Sequence, residues 1–201
     1  MKKQLKKWKE KFGKKYTQRS KFDWKIRTGP FKKMVSDLNI EDVLEVGCNR
    51  GYNLMALNEV LGKEAKLLGV EPNKHAIRLA RNSKPNFGAI EGNAYDLPFK
   101  SGYFDLCLTC TLLIHIPPDD LSAAMREIRR VCNSYILSIE YYSENEEEVI
   151  YRGNEDMLWK RDYLDLWKEE FPNLSLVRKG YWGPEDGFDR CHWWLMETKP
   201  T

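Results

Sequence analysis

From residue 42 onward, short apolar segments alternate with amphipathic ones, and this alternation limits the folds open to the chain more than any other feature. The apolar segments have the length of buried strands, and the segments between them place apolar residues at helical spacing. We predict strands at 43–46, 66–71, 87–90, 104–109, 135–140, 174–182 and 191–199, and helices at 52–61, 73–82, 118–131 and 162–171. Alternating strands and helices form βαβ units, so the sequence predicts a largely parallel sheet covered on both faces.

The signals for regular structure weaken after residue 140. The acidic segment 143–148 is predicted to be a surface loop. A loop rich in Gly, Pro and Asp separates the last two strands, which favours an antiparallel pair at a sheet edge. We therefore expect one Rossmann-like α/β domain over residues 36–201. Its doubly wound, seven-stranded sheet would be mostly parallel, with an antiparallel C-terminal strand.

The charge of the 201-residue chain is unevenly divided between a basic N-terminal arm, residues 1–35, and the rest. The formal net charge is only +3. Residues 1–33 carry 14 Lys and Arg against two acidic residues, a net charge of +12, while the remainder carries 19 basic and 28 acidic residues, a net charge of −9. The body should therefore not attract nucleic acid, whereas the arm could bind an anionic partner.

Within the arm, Leu5, Trp8, Phe12 and Tyr16 recur at spacings of three and four, which places them on one face of a helix. Lysines occupy the other faces. The spacing favours a terminal helix docked through its apolar stripe. A lid over a binding cleft and a helix at a membrane surface are the alternatives.

Several classes of protein are not expected. No apolar run reaches the roughly 20 residues that a membrane span needs, and no apolar segment follows the N-terminal lysines as in a secretory signal. The five cysteines are odd in number and scattered. Cys107 and Cys110 form a CxxC motif without a second pair or a nearby His cluster. A zinc or redox site remains open, but buried, reduced thiols in a cytoplasmic protein are favoured, and no metal site is predicted.

A glycine-containing turn, Glu45-Val-Gly47-Cys-Asn49-Arg-Gly51, follows the first predicted strand. Glycine lets a ligand approach the backbone closely, and the next helix offers free N–H groups at its start. Glu71 ends the second strand 20 residues after Gly51, where a doubly wound fold places the carboxylate that accepts hydrogen bonds from a ribose. These features together predict a nucleoside site. The dinucleotide fingerprint G-x-G-x-x-G is not matched, which argues against a bound pyrophosphate.

Three further motifs follow in order along the chain. EGNAYDLPF at 91–99 comes after the third strand, GYFDL at 102–106 opens the fourth, and CTLLIHI at 110–116 ends it. In this combination and order, residues 40–140 resemble the class I S-adenosylmethionine-dependent methyltransferases of the methyltransferase domain 11 type. The resemblance implies S-adenosylmethionine as the cofactor, S-adenosylhomocysteine as the product and a helical lid formed by the arm.

The resemblance also implies which residues bind the cofactor. They are Tyr16, Arg19, Glu45, Gly47, Asn49, Gly51, Glu71, Pro72, Asn93, Ala94, Tyr95 and Cys110. The glycine turn would hold the methionine part, Glu71 the ribose, and Asn93 with Ala94 the adenine. Glu45 could instead be a buried strand acid paired with the arm, and Cys110 could simply pack in the core.

The sequence departs from the family pattern at two of these positions. Asn49 replaces the central glycine of the turn, and Asn93 replaces the acid that commonly contacts the adenine amino group. An asparagine side-chain oxygen can still accept a hydrogen bond from that amino group. The departures therefore leave cofactor binding possible in principle.

The flanks of the core carry basic and aromatic residues in a particular order, in segments 11–19, 140–143, 151–153 and 158–162. These segments resemble the pseudaminic acid biosynthesis-associated methylases, which implies a sugar-linked or other small polar substrate. Arg and Lys can hold a phosphate or carboxylate, and aromatic rings can stack on a sugar or base. The predicted substrate-binding residues are Tyr142, Arg152, Trp159, Lys160, Arg161 and His192. A solvated surface in which Trp159 anchors the loop is the alternative.

His115 follows the fourth predicted strand, where a substrate would enter. Methyl transfer needs a positioned nucleophile and sometimes a group that removes its proton. Because imidazole titrates near neutral pH, His115 is the candidate catalytic base, with a structural role as the alternative. His192, next to two tryptophans on a predicted edge strand, is either a packing residue or a substrate contact.

These observations predict an enzyme that transfers a methyl group from S-adenosylmethionine to O or N of a small polar metabolite. A sugar, a sugar nucleotide or a specialised metabolite would qualify, and the basic arm would favour an anionic one. One alternative is a nucleic-acid methyltransferase whose arm tracks phosphates, although no (D/N)PPY-like motif or RNA-binding module accompanies the acidic body. The other alternative is a non-catalytic cofactor-binding protein, which the departures at Asn49 and Asn93 keep open.

Overall fold

The computed structural model describes residues 2–83 and 86–198. The strands are β1 Asp42–Val46, β2 Lys66–Glu71, β3 Phe87–Glu91, β4 Phe104–Cys110, β5 Cys132–Glu140, β6 Glu147–Glu148, β7 Trp159–Lys160, β8 Leu174–Trp182 and β9 Cys191–Thr198. The α-helices are α1 Lys3–Lys9, α2 Lys11–Arg19, α3 Thr28–Val35, α4 Tyr52–Leu61, α5 Lys74–Asn82, α6 Pro118–Val131 and α7 Tyr163–Glu170. The end of the strand predicted at 191–199 and the last three residues of the predicted domain lie outside the described residues.

Seven strands form one sheet in the order β3-β2-β1-β4-β5-β9-β8. β9 runs antiparallel to β5 and to β8, and the pairings among β1 to β5 are parallel. This confirms the predicted Rossmann-like sheet with an antiparallel C-terminal strand. The chain order reverses between β1 and β4, and ligands of doubly wound folds bind at the carboxyl ends of the strands at such a point.

Helices cover both faces of the sheet. Successive residues of a strand point to opposite faces, so Leu44 packs with the cluster under α6 and α7, while its neighbour Val43 packs with the cluster under α3 and α4. The first cluster contains Tyr163 and Trp167, both fully buried, and the second contains Phe31. Burial on both faces explains why the strands are almost continuously apolar.

The predicted arm helix is wrong in one respect, because it is two helices that break at Glu10. The amide nitrogen Nδ2 of Asn73 lies 2.9 Å from the carbonyl oxygen of Trp8, 3.3 Å from that of Lys9 and 3.2 Å from that of Glu10. Asn73 therefore satisfies the carbonyl groups exposed at the break. The sequence of the arm alone could not show this partner, which lies more than 60 residues away.

The loop predicted over 143–148 also needs correction. Its last two residues form β6, which pairs antiparallel with β7. Lys160 Nζ lies 3.5 Å from a carboxylate oxygen of Glu147, while Trp159 opposite Glu148 is buried. The segment remains on the surface, because Glu147 and Glu148 are both exposed.

No helix in the described part of the chain combines the length and apolar character needed to cross a membrane. A cluster of three or more His, Cys, Asp or Glu side chains that could hold a metal ion is also absent from residues 2–83 and 86–198. All five cysteines are buried, and none is in a disulfide.

Candidate functional site

A cavity of about 1110 Å³, part of it open to solvent, lies at the carboxyl ends of β1, β2 and β4. We call the strand-end residues that line it the floor: Glu45, Asn49, Glu71, Asn93 and Cys110. We call the residues of α1 and α2 that line it the cover: Gln4, Leu5, Trp8, Gly13, Tyr16 and Thr17. Of the other predicted residues, Gly47, Pro72, Ala94, Tyr95 and His115 also line the cavity. The structure therefore brings together most of the predicted cofactor site.

The turn after β1 depends on backbone conformations that few residues adopt. Gly47, Asn49 and Gly51 have φ angles of 81°, 47° and 75°. Asparagine is one of the few other residues that visit this left-handed region, so Asn49 can replace the family's central glycine without losing the turn. A Cβ atom on Gly51 would overlap the ring of Phe87. Gly51 is therefore needed for close packing against Phe87, and it does not itself line the cavity.

Glu71 is fixed by the backbone on both sides. One of its carboxylate oxygens accepts the N–H of Asn49 at 3.0 Å, and the other accepts the N–H of Asn73 at 2.8 Å. Burial raises the pKa of Glu71 to about 7, although these two N–H groups favour the charged form. Each oxygen keeps a lone pair that a ligand hydroxyl can use.

Glu45 is only 2% exposed and is held by one side chain. Its Oε1 accepts a hydrogen bond from Asn53 Nδ2 at 2.7 Å, while Oε2 has no partner among the described residues. Burial raises the pKa of Glu45 to about 8, with the Asn53 hydrogen bond and the Arg27 charge opposing it. A buried, unpaired carboxylate oxygen facing a cavity is suited to receive a cationic or hydrogen-bond-donating group.

The cover is attached next to Glu71. Besides holding the carbonyl groups of the arm, Asn73 uses its side-chain oxygen to cap α5, accepting the N–H of His75 at 3.0 Å. A Cβ atom at Gly13 would overlap the carbonyl oxygen of Trp8 and lie 2.7 Å from Asn73 Nδ2. The arm can dock this closely because residue 13 is glycine. The docked arm forms one wall of the cavity, and its role as a lid stays a prediction.

His115 lies between the floor and the aromatic rings of Trp8 and Tyr151. Its ring centroid is 4.6 Å from that of Trp8 and 5.1 Å from that of Tyr151. Nδ1 lies 2.6 Å from the carbonyl oxygen of Met157, and a carbonyl only accepts, so Nδ1 carries the proton. Burial, together with the Arg19 charge, lowers the pKa of His115 to about 4. His115 is therefore neutral at pH 7.

The segment that carries His115 is held by a buried acid that the sequence did not single out. Glu140, at the end of β5, accepts N–H groups of Leu113 at 3.2 Å and Ile114 at 3.4 Å. Just before them, Thr111 adopts a φ of 50°, which is rare for a β-branched residue. This strained turn directs the chain after β4 toward the cavity. The only signal in the sequence was an acid at the end of an apolar strand.

Two predicted cofactor residues do not line the cavity, namely Gly51 and Arg19. The Arg19 guanidinium lies 5.1 Å from the ring centroid of Tyr16, and its Nη2 donates to the Tyr151 hydroxyl at 3.3 Å. Arg19 is exposed. It joins the arm to the segment after β5 from the outside.

The predicted substrate residues do not line the cavity either. Arg161 is buried, with Nε 2.6 Å from Glu146 and Nη1 3.1 Å from the carbonyl oxygen of Ile116. Trp159 lines a second cavity of about 1180 Å³ between α1 and the start of α6. Lys160 pairs with Glu147 in the β6–β7 ladder.

The other three predicted substrate residues lie elsewhere. Arg152 is exposed in a turn with a φ of 56°. The rings of Tyr142 and His192 lie 4.8 Å apart, and His192 stacks on Trp194 of β9. These three residues stay predictions, since nothing in the described structure brings them to the cavity.

Sequence reasoning did not identify Trp8, Arg27 or Asn53 as residues of the cavity wall, nor Asn73 as the contact between the arm and the start of α5. Trp8 was identified only as part of a docking stripe. Arg27 could not be told from the other cations of the arm, since its partners lie on α4 and in the β8–β9 loop. Asn53 begins no recognisable motif, although its position just after the glycine turn was an available signal.

Comparison with known proteins agrees with this geometry. A family profile described as a methyltransferase domain matches residues 43–134. The demethylmenaquinone methyltransferase of Lactococcus lactis subsp. lactis (strain IL1403) is 29% identical over 113 residues, which are 54% of this chain and 43% of that protein. The chain thus spans less than half the length of this curated relative.

Solved structures share the fold at low sequence identity. Magnesium protoporphyrin IX methyltransferase from Synechocystis PCC 6803, with bound S-adenosylhomocysteine, superposes with a TM-score of 0.70 at 12% identity, covering 97% of this chain and 98% of that one. Burkholderia thailandensis 1,6-didemethyltoxoflavin-N1-methyltransferase, with its named substrate and S-adenosylhomocysteine bound, gives a TM-score of 0.68 at 12% identity, covering 94% and 83%.

The cavity fits S-adenosylmethionine, whose product is bound in both of these structures. The floor supplies acceptors, including the unpaired oxygens Glu45 Oε2 and Asn49 Oδ1, for ribose hydroxyls and an ammonium group. The cover supplies donors in Gln4 Nε2 and Trp8 Nε1, both buried and without a partner in the described part of the chain. These four atoms would otherwise remain unsatisfied inside the protein. Residues 43–134 thus match a methyltransferase-domain profile, and the strand-end residues form a cavity that fits the cofactor of the methyltransferases whose fold the chain shares.

Proposed function

We propose that the chain is an enzyme that methylates O or N of a small polar metabolite. S-adenosylmethionine supplies the activated methyl group when bound. The observation that carries the proposal is the row of unpaired polar atoms facing the cavity from both the floor and the cover. Glu45 and Asn49 would hold the amino-acid part of the cofactor, and Glu71 would hold the ribose.

A small acceptor is favoured by the way the cavity is closed. Trp8, Tyr16 and Tyr151 surround His115 with ring-centroid distances of 4.6 to 6.4 Å. Such an enclosure suits a small molecule better than a polymer strand. The names of the related proteins also refer to small molecules: demethylmenaquinone, magnesium protoporphyrin IX and 1,6-didemethyltoxoflavin.

The resemblance of the flanks to pseudaminic acid biosynthesis-associated methylases supports a sugar or sugar nucleotide as the acceptor, and a specialised metabolite is the second class. Arg19 is exposed beside the ring of Tyr16. An exposed guanidinium at this position supports an acceptor that carries an anionic group. Tyr142, Arg152, Trp159, Lys160, Arg161 and His192 would contact this acceptor only if the segment after β5 rearranges around it.

His115 is the proposed general base. Because Nδ1 donates to Met157, the lone pair of the ring lies on Nε2. With a pKa near 4, the imidazole accepts a hydrogen bond from an acceptor hydroxyl or amine but holds a proton weakly. His115 would therefore orient the nucleophile and take its proton late in the reaction.

We also propose a cytoplasmic location. All five cysteines are free thiols in the folded chain. Reducing compartments keep thiols in this form, whereas oxidising ones favour disulfides. Fractionation of cells that express the tagged full chain tests this location.

Incubation of the full chain with methyl-labelled S-adenosylmethionine and a metabolite extract tests the function. We expect mass spectrometry to find label in a small polar compound, and His115→Gln to lower the rate of labelling. Label on RNA or DNA alone would favour the nucleic-acid alternative. Cofactor binding with no labelled product in any extract would favour a non-catalytic binding protein.

A further inference from the structure

Arg27 is held at the cavity by an unusually complete set of contacts. Its Nε and Nη2 donate to the carbonyl oxygen of Gly187 at 2.9 and 2.7 Å. The guanidinium carbon lies 4.2 Å from the ring centroid of Phe22 and 4.1 Å from that of Phe188. Two rings and one carbonyl group therefore fix the plane of the guanidinium.

The remaining nitrogen of Arg27 points to the floor. Nη1 donates to Asn53 Oδ1 at 2.5 Å, and Asn53 Nδ2 in turn donates to Glu45 Oε1 at 2.7 Å. Since Arg27 donates to the amide oxygen, the amide nitrogen must face Glu45. The arginine thus fixes the orientation of Asn53, and Asn53 fixes the carboxylate so that Oε2 is the oxygen left unpaired.

Among the residues that the structure describes, Arg27 has no ion-pair partner. Within the described residues, no carboxylate oxygen lies within 4 Å of its guanidinium. The charged or titratable groups that face Glu45 are Arg27, Glu71, Cys48 and Cys110. Arg27 is the one cation in that set, so it is the group that favours the charged form of Glu45.

We propose that Arg27 is a positioning residue, which acts through Asn53 to hold Glu45 so that its free oxygen receives the ammonium of the amino-acid part of the cofactor. The inference rests on the proposed function. It adds a role for an arm residue that touches the carboxylate only through a neighbour. It also gives the cofactor site a dependence on pH, because an ammonium needs the charged carboxylate.

The direction of that dependence follows from the burial of Glu45. The pKa of Glu45 is raised to about 8, so the empty protein holds a proton on it at pH 7. Binding of an ammonium favours the carboxylate, and this proton is released. The affinity for a ligand that carries the ammonium should therefore rise with pH between 6 and 8. Because Arg27 favours the charged form of Glu45, its loss should move that rise to higher pH.

Calorimetry with two ligands tests the inference. S-adenosylhomocysteine carries the amino-acid part, whereas 5′-methylthioadenosine has the same nucleoside without it. Titrations at pH 7 in buffers of different ionisation enthalpy give the protons released. The variants are Arg27→Met, Arg27→Lys and Asn53→Leu, and thermal unfolding verifies that each is folded. Arg178→Met is the matched control, because Arg178 pairs with Asp37 at the surface.

For the wild type we expect S-adenosylhomocysteine to release close to one proton more than 5′-methylthioadenosine, because both ligands carry the ribose that contacts Glu71 and only the first carries the ammonium that contacts Glu45. Arg27→Met should weaken S-adenosylhomocysteine about tenfold, as a shift of one pKa unit implies, and leave 5′-methylthioadenosine unchanged. Asn53→Leu should act in the same direction, since it breaks the link without removing the charge. Arg27→Lys should retain part of the affinity for S-adenosylhomocysteine, because lysine keeps the positive charge but lacks the planar guanidinium.

Equal weakening of both ligands by Arg27→Met would overturn the inference. So would a loss of affinity in Arg27→Met that Asn53→Leu does not share, because Arg27 would then contact the ligand directly. Unchanged affinity and proton release in both variants would also overturn it while leaving the proposed function intact. Failure of the wild type to bind S-adenosylhomocysteine would overturn the proposed function itself.

Discussion

Backbone hydrogen bonds fix the floor of the cavity, whereas ring packing and one asparagine fix the cover. Glu71 is held by N–H groups of Asn49 and Asn73, which belong to the turns after β1 and β2. The cover is held by Asn73 and by the packing of Trp8 on His115. The floor therefore follows from the fold, while the cover depends on a few side chains.

This difference predicts different consequences of damage. A change in the floor removes a hydrogen-bonding group that the sheet has already placed, and nothing else can replace it. A change in the cover releases a segment that can still rest on the cavity in other ways. We therefore expect floor variants to reduce cofactor affinity more than cover variants do.

The largest effect is expected for Glu71→Ala. Loss of its charge-assisted hydrogen bonds should weaken S-adenosylhomocysteine by about 100-fold or more, measured by calorimetry. Glu91→Ala is the matched control, because Glu91 is the register partner of Glu71 on β3 but is exposed. Equal affinities of the two variants would contradict the role of Glu71.

A smaller effect is expected for Gly13→Ala, which damages the cover. The added Cβ atom would clash with the Trp8 carbonyl oxygen and Asn73 Nδ2, so the arm should separate from α5. Affinity for S-adenosylhomocysteine should fall about tenfold, and limited proteolysis should cleave the arm faster. Gly29→Ala, where nothing lies within 4 Å of the new atom, should change neither property. If Gly13→Ala also leaves both unchanged, the arm does not dock as described.

The acids of the floor and His115, against which the cover packs, should also respond to pH in opposite directions. Burial raises the pKa of Glu45 to about 8 and of Glu71 to about 7, so the floor loses stability as pH rises from about 4.5 through those values. The pKa of His115 is lowered to about 4, so its contribution to stability is lost as pH falls from about 6.5 toward 4.

Thermal unfolding of the protein without ligand measures this difference. Between pH 6.5 and 8, where only the acids contribute, the unfolding temperature of the wild type should fall by about 5 °C. Glu45→Gln should make that decline smaller, since Glu71 and Glu140 still contribute, while Glu91→Gln should leave it unchanged. An unfolding temperature that rises with pH in this range would contradict the raised pKa values.

The smallest effect on the cofactor is expected for His115→Gln. Because His115 is neutral and the amide of Gln can also donate to Met157, affinity for S-adenosylhomocysteine should stay within about twofold. Nitrogen NMR of the wild type at pH 7 should show the neutral ring with the proton on Nδ1. A charged ring at pH 7 would contradict the burial described for His115.

The sequence predicted the floor well and the cover only in part, for a physical reason. Glu45, Asn49 and Glu71 could be placed because strand ends and glycine turns are local patterns. Asn73 could not be linked to the arm, since its contacts depend on how distant segments meet. Arg161 shows a second limit: the motif predicted a substrate contact, and the sequence could not show that the side chain is buried against Glu146 and the Ile116 carbonyl group.

Hydrogen exchange of the full chain with and without S-adenosylhomocysteine tests most directly whether one ligand joins the floor to the cover. We predict slower exchange in two separate segments, residues 45–53 at the floor and residues 3–19 of the arm. The outer strand β8 should serve as the unaffected reference. Protection confined to the floor would contradict the role of the arm, and no protection in either segment would contradict the cofactor site itself.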